Sequence, residues 1–334
     1  MPSPPGSTSV SRPRLRHRVP AILNAVAPAA ALVALSAIFA TQTPRFLETG
    51  NLTTVITRLG VVAILAMGET FVIIAGGIDL SVGSVVALSG VLAALMMVQY
   101  GMGMLPAALV GVAAGALCGL LNGVLVTWGR LPSFIVTLGT MRICRGLAKM
   151  PTDATDISGL PPAFLQLDSG RLLGGLIPTP VVIMLVLAVL AHFLLRQTRA
   201  GRYCYAMGSN MEAARLSGVN TRAYTTLVFV ACGLLAGVAG VLLTARLGVG
   251  QPTAGEGYEL DAIAAAVIGG ASLMGGVGTM PGTLIGALMM AVLRNGCNLL
   301  KFSPQWQDVT IGLVIVLAVL WDKLRQPGRA AGLN

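Results

Sequence analysis

From Gly60 to Met97 the chain reads GVVAILAMGETFVIIAGGIDLSVGSVVALSGVLAALMM, two apolar runs joined by GGIDLSVGS at Gly76–Ser84. Each run approaches the roughly 20 apolar residues an α-helix needs to cross a bilayer core. Paired glycines, Gly76 and Gly77, interrupt the helix, and Asp79 follows them, a carboxylate that lipid cannot solvate. This order of span, Gly-Gly break, polar link and second span sets the fold class as a membrane-embedded helical protein.

The rest of the chain extends the pattern. Of its 334 residues 55% are hydrophobic and only 10% charged, with mean hydropathy +0.83, more apolar surface than one soluble core can hide. Spans are expected at 20–41, 58–75, 81–99, 104–128, 132–149, 178–195, 223–246, 259–274, 280–298 and 308–322. The expected fold is all-α, a polytopic transmembrane bundle of about ten spans. A β-barrel is excluded because these segments are continuously apolar, without strict alternation.

The net charge of +10 is clustered, which argues for membrane orientation rather than for nucleic acid as a partner. Arg12, Arg14, Arg16 and Arg18 precede the first span; Arg196, Arg199, Arg202, Arg215 and Arg222 lie between the sixth and seventh; Lys323, Arg325 and Arg329 follow the last. Ten crossings put all three clusters on one side, so both termini are expected in the cytoplasm, with the acidic segment 150–177 outside. Residues 1–19 read as a disordered basic tail, 20–322 as the membrane domain and 323–334 as a cytoplasmic tail. The first span reads as a retained anchor, because Ile38 occupies the −3 position before Ala40, where cleavage wants a small residue.

Cys118, Cys144, Cys204, Cys232 and Cys297 show no paired spacing and are expected as small buried thiols. Glycines recur at four-residue intervals: Gly111, Gly115, Gly119 and Gly123; Gly233 and Gly237; Gly278, Gly282 and Gly286. That spacing lets helix backbones approach within the chain. GGIDLSVGSVVALSGVLAALMM (76–97) also aligns without a gap to GGASLMGGVGTMPGTLIGALMM (269–290), matching at eight of 22 positions. Such an echo fits a duplicated helical core.

Catalytic chemistry finds no footing. The two histidines, His17 and His192, belong to no triad or metal-ligand pattern, and none of Lys149, Lys301 and Lys323 sits in a P-loop. No cofactor is expected on this chain; if ATP and Mg drive its work, another chain holds them.

The segment GSNMEAARLSGVN (208–220) reads as a short helix over 209–218, with Ser209 and Glu212 as a capping box and Gly218 as the left-handed residue after its end. Two turns do not persist alone in water, so a partner or the membrane domain must hold it. EAARLSG, Glu212–Gly218, resembles the coupling motif of membrane subunits of binding-protein-dependent ABC importers. GGIDLSVGS, GRYCYAMGSNMEAARLSGVN, QPTAGEGYELDAIAAAVIGGASLMGG and GTLIGAL occur in the order found in ribose-type sugar permeases of the branched-chain/monosaccharide group, a resemblance spanning about 50–322. The resemblance implies an ABC importer permease fold and a homodimeric subunit in the bacterial inner membrane. It also implies a cytoplasmic ATPase that docks on Ser209, Glu212, Ala213, Ala214 and Gly218, and a periplasmic sugar-binding protein. Glu69 departs from the family pattern, which more often has a neutral residue there.

Several groups are candidates for a pathway or gate. Asp79 reads as an N-cap for the next helix or as a gating carboxylate. Glu69 lies mid-span and calls for a protein-lined cavity or a partner such as Arg58. Glu259 and Asp261, with Glu256, mark a helix entrance or an external gate, while Arg142 and Arg145 are expected to snorkel or to meet outer acids. Ser81, Ser84, Asn122, Thr137 and Asn298 are small polar residues suited to sugar hydroxyls. The expected function is the permease of an ATP-driven importer of ribose or a related sugar. The rival is an ion- or proton-coupled carrier that uses Glu69, Asp79 or Asp261.

Overall fold

The computed structural model describes residues 18–325 except 173 and 176. Of the tails read at 1–19 and 323–334, residues 18–19 instead open α1 and 323–325 close α13, while 1–17 and 326–334 lie outside the described residues. Within them the chain forms thirteen α-helices: α1 (Arg18–Gln42), α2 (Thr49–Ile74), α3 (Val82–Val98), α4 (Met104–Thr127), α5 (Ser133–Lys149), α6 (Pro162–Ser169), α7 (Thr179–Gln197), α8 (Arg199–Ser209), α9 (Met211–Leu216), α10 (Thr221–Leu247), α11 (Tyr258–Ile268), α12 (Met280–Leu299) and α13 (Pro304–Arg325). One hairpin, β1 (Arg171–Leu172) with β2 (Ile177–Pro178), is the described sheet. The molecule is the polytopic helical bundle its sequence requires.

Burial orders the bundle. Every residue of α2 from Leu59 to Ile74 is buried, as is most of α10, the signature of helices apolar on all sides at a core. Around this pair, α3 and α4 pack on one flank and α11 and α12 on the other. By length and composition α2, α4, α7 and α10 can each cross a membrane; the apolar stretches of α1, α3 and α13 are shorter. Leu109, Leu117 and Leu121 on α4, and Val186, Val189 and Phe193 on α7, are exposed, which suits helices whose outer faces meet lipid.

Small residues set the closest packing. A Cβ added at Gly115 would lie 2.8 Å from the Gly237 Cα, and one at Gly123 would lie 2.7 Å from the Thr226 Cα, so the glycine series of α4 is the seam against α10. The series in α12 does the same toward α11, where a Cβ at Gly282 or Gly286 would overlap the carbonyl of Gly269 or Ala265. Both series serve intramolecular contact.

Three elements differ from expectation. The span expected at 259–274 is α11, eleven residues long, about 16 Å where a bilayer core measures about 30 Å. The Gly269-Gly270 pair ends it early. Within segment 150–177, α6 was not anticipated; its Phe164 is fully buried, and the segment ties back to α10 through Arg246 Nε donating to Asp168 Oδ1 at 3.0 Å. The loop before α10 holds two helices, α8 and α9, where one was expected.

The two Gly-Gly breaks share one geometry. After α2 the Gly76 amide donates to Ile73 O and the Gly77 amide to Val72 O, with Gly76 at φ +87°. After α11 the Gly270 amide donates to Val267 O and the Ala271 amide to Ala266 O, with Gly270 at φ +95°. Each is a Schellman cap, which demands the left-handed conformation that glycine adopts freely. The two caps fall one residue out of register with the gap-free sequence echo, and α12 also ends in a cap of this kind at Lys301, so the shared geometry reflects helix termination at a left-handed residue rather than a repeat.

All five cysteines are buried and free, as expected. Cys118 and Cys144 bring their sulfurs to 3.5 Å across α4 and α5.

Candidate functional site

The first break carries a buried polar cluster, in which the Asn122 side-chain oxygen is left without a hydrogen-bond partner. Asp79 is 1% exposed, and its Oδ1 accepts the Ser81 amide at 2.9 Å and the Ser81 hydroxyl at 2.6 Å. From α4, Asn122 Nδ2 donates to Ser81 Oγ at 2.9 Å and reaches toward Asp79 Oδ2 at 3.5 Å. From α5, Ser133 Oγ accepts the Ile78 amide at 3.2 Å and the Thr137 hydroxyl donates to Ile78 O at 3.3 Å. Four of the small polar or acidic residues singled out in the sequence, Asp79, Ser81, Asn122 and Thr137, thus meet where α3, α4 and α5 converge. Ser84 is buried within the first turn of α3.

The capping detail differs from expectation. The residue that precedes α3 is Ser81, and Asp79 sits two positions earlier, where its carboxylate folds the link as an Asx turn. Backbone groups that the break frees are met by side chains: the Ser81 amide by Asp79 of the link itself, and the Ile78 amide and carbonyl by Ser133 and Thr137 of α5.

Glu69 occupies α2 with zero exposure, and neither carboxyl oxygen has a hydrogen-bond partner. Asp79 and Glu259 are the neighbouring acids. Arg58, the partner considered from the sequence, lies eleven residues earlier on the same helix, about 16 Å along its axis, and does not reach it.

The other acids separate. Asp261 is fully buried in α11 and holds Arg294 of α12 bidentately, at 2.7 Å to Nε and 2.9 Å to Nη2. It is a structural anion of the α11–α12 contact, and Arg294 was not anticipated. Glu259, the second residue of α11, presses its carboxylate against Gly83 of α3, where any Cβ would overlap it. Arg145 donates to the carbonyls of Pro252 and Ala254, both at 2.9 Å. Asn298 is exposed at the far end of α12 and accepts from Gln307 of α13 at 2.8 Å, so it takes no part in the break cluster. Asn51 and Asn295, also unanticipated, bond reciprocally at 3.0 and 2.9 Å and join α2 to α12. Among the described residues no group of three metal-ligating side chains forms.

The second candidate site is α9. Its N-cap is Asn210, whose Oδ1 accepts the Ala213 amide at 2.9 Å; Ser209 is the last residue of α8. Glu212 does not close a capping box. It pairs instead with Arg215, at 2.6 Å from Nη2 and 3.1 Å from Nε, and that guanidinium holds the carboxyl below the usual glutamate range. The end is as the sequence reads it: Gly218, at φ +85°, donates to Arg215 O while the Val219 amide donates to Ala214 O, another Schellman cap. Ala214 faces inward, while Met211 and Leu216 are 42% and 78% exposed. A six-residue helix therefore projects apolar side chains from the end of α8.

Residues 51–319 match the family described as branched-chain amino acid transport system / permease component. The ribose import permease protein RbsC of Escherichia coli strain K12 is 45% identical over 300 residues, covering 89% of this chain and 92% of that one. Its Bacillus subtilis strain 168 counterpart is 43% identical over 304 residues, 90% and 94% of the two chains. The D-allose transport system permease protein AlsC of E. coli K12 is 40% identical over 294 residues, 88% and 90% of the two chains. No solved structure gives a significant match.

Proposed function

Because the chain belongs to the permease-component family of branched-chain amino acid transport systems, and its similarity to ribose import permeases runs along nine-tenths of both chains, we propose that it is the membrane subunit of an ABC importer for ribose or a related monosaccharide. Its working form is a homodimer in a bacterial inner membrane, with both termini cytoplasmic. A cytoplasmic ATPase carries ATP and Mg, and a periplasmic binding protein delivers the sugar.

The observation that carries this reading is α9. A helix of six residues is far too short to hold itself together, yet here it is capped at both ends, seated on Ala214 and turned outward with Met211 and Leu216 exposed. Exposed apolar groups on a rigid, charged-rimmed helix fit a groove in a partner protein. ATP binding and hydrolysis in that partner displace α9, and the bundle rocks between outward-open and inward-open states. Sugar hydroxyls need neutral hydrogen-bonding groups, and the Ser81, Asn122 and Thr137 cluster supplies them beside the path as a gate. The remaining candidate of that kind, Ser84, lies beside the same cluster.

The rival, a carboxylate-coupled carrier, draws on the unpartnered Glu69; Asp261 is a weak candidate for it because Arg294 already holds its charge. One experiment separates the two: purification of the tagged chain from native membranes in mild detergent, with mass spectrometry of retained proteins, for wild type and Gly218→Pro. Retention of a P-loop ATPase that the variant loses is expected. A chain without an ATPase that still transports solute on a proton gradient would establish the carrier instead.

A further inference from the structure

The end of α8 meets both breaks at one point, backbone against backbone. The Gly276 amide, from the break after α11, donates to Ile74 O, the last residue of α2, at 2.9 Å. Gly208, next to last in α8, sits on this bond: a Cβ there would overlap Ile74 O and lie 2.5 Å from the Gly276 nitrogen. A Cβ at Gly275 would lie 2.7 Å from Gly208 O and 3.1 Å from the Gly76 Cα. One residue on, a Cβ at Gly276 would overlap Ser209 Oγ. The Tyr205 hydroxyl donates to Gly278 O at 2.7 Å and so ties α8 to the same loop one turn earlier. Asn210 and α9 follow directly.

We infer that Gly208 is the positioning residue through which movement of α9 reaches both Gly-Gly breaks at once. The inference rests on the proposed permease function and adds a route to it. Close-packed atoms pass on displacement, whereas an intervening flexible side chain takes up part of it by changing rotamer. Here no side chain intervenes: Gly208 touches the end of α2 on one side and the loop leading to α12 on the other. The two breaks lead directly into α3 and α12, so one stroke of α8 tilts both helices together. Any larger residue at 208 wedges α8 away from one break or the other.

The test uses the full chain, co-purified with its ATPase in lipid nanodiscs, and hydrogen exchange with and without ATP trapped by vanadate. In wild type, trapping changes the exchange of segments 74–81, 206–218 and 269–279 together, by about fivefold or more. In Gly208→Ala the ATPase is retained and 211–218 still responds, while the response of 74–81 and 269–279 is lost. A merely structural defect would alter exchange throughout the bundle before nucleotide is added. The inference is overturned if both breaks respond in Gly208→Ala as in wild type, or if either break of the wild type stays unchanged while 206–218 responds. Should Gly208→Ala fail to accumulate, the wild-type comparison decides alone. Absence of any retained ATPase from wild type sinks the permease reading itself, and this inference with it.

Discussion

The Asp79 carboxylate accepts both the amide and the hydroxyl of Ser81, so geometry, more than charge, is what that position demands. Asp79→Asn keeps an acceptor oxygen and is expected to leave the membrane yield of folded protein within about twofold of wild type. Asp79→Leu strands buried donors at about 1–3 kcal/mol each and should lower that yield several-fold by fluorescence-detected gel filtration; equal yields would refute the turn-forming role. Arg294→Ala leaves a fully buried Asp261 without its cation, a loss of about 3–5 kcal/mol. Asp261→Asn combined with Arg294→Gln should recover much of that melting temperature. At Glu212 the folded-state pKa is depressed, so its contribution to α9 is complete above the ordinary glutamate value and fades only as pH falls through the lowered one. ATPase retention should therefore be flat from pH 6 to 8. The residues of the break cluster were legible because glycine pairs and lone polar groups stand out in apolar sequence. Arg294 and Asn295 were not, since each finds its partner on a distant helix and no local periodicity records the pairing.

At the scale of elements, α9 depends on its two caps. Asn210→Ala is expected to destabilise the helix by about 1 kcal/mol, seen as weaker ATPase retention without loss of the membrane bundle. Gly119→Leu should disrupt α4 against α10, because even a Cβ there overlaps the Phe229 carbonyl; a drop in thermal stability of the purified chain measures it, with overpacking of this kind costing about 1–3 kcal/mol. The ten hydrophobic segments were visible as apolar runs, and each coincides with a helix. What the sequence hid was length and start. The expected eighth span ends at Ile268 because a Gly-Gly pair caps it, although the apolar run continues. α2 begins nine residues before its expected start because Thr49–Thr57, though polar, continues the helix. The Ser209–Glu212 spacing mimicked a capping box, but Asn210, one residue on, holds the cap and leaves Glu212 free for Arg215.

For the whole molecule, orientation is the first quantity to measure. All five native thiols are buried, so single introduced cysteines report cleanly. Ser217→Cys should react with a membrane-impermeant maleimide only after the inner face is opened, and Ser169→Cys from outside on intact spheroplasts; the reverse pattern would invert the topology. The exposed Leu216 and Met211 carry a further consequence, for the cell rather than for transport. Until a partner covers it, this tip of the chain displays the kind of greasy surface that proteases and chaperones recognise in unfinished proteins. Expressed without the proposed ATPase, the chain should turn over faster than in the proposed complex, and replacing Leu216 and Met211 by serine should lengthen the orphan's half-life. Subunit balance would then be kept by degradation of the unaccompanied chain, with no separate counting device.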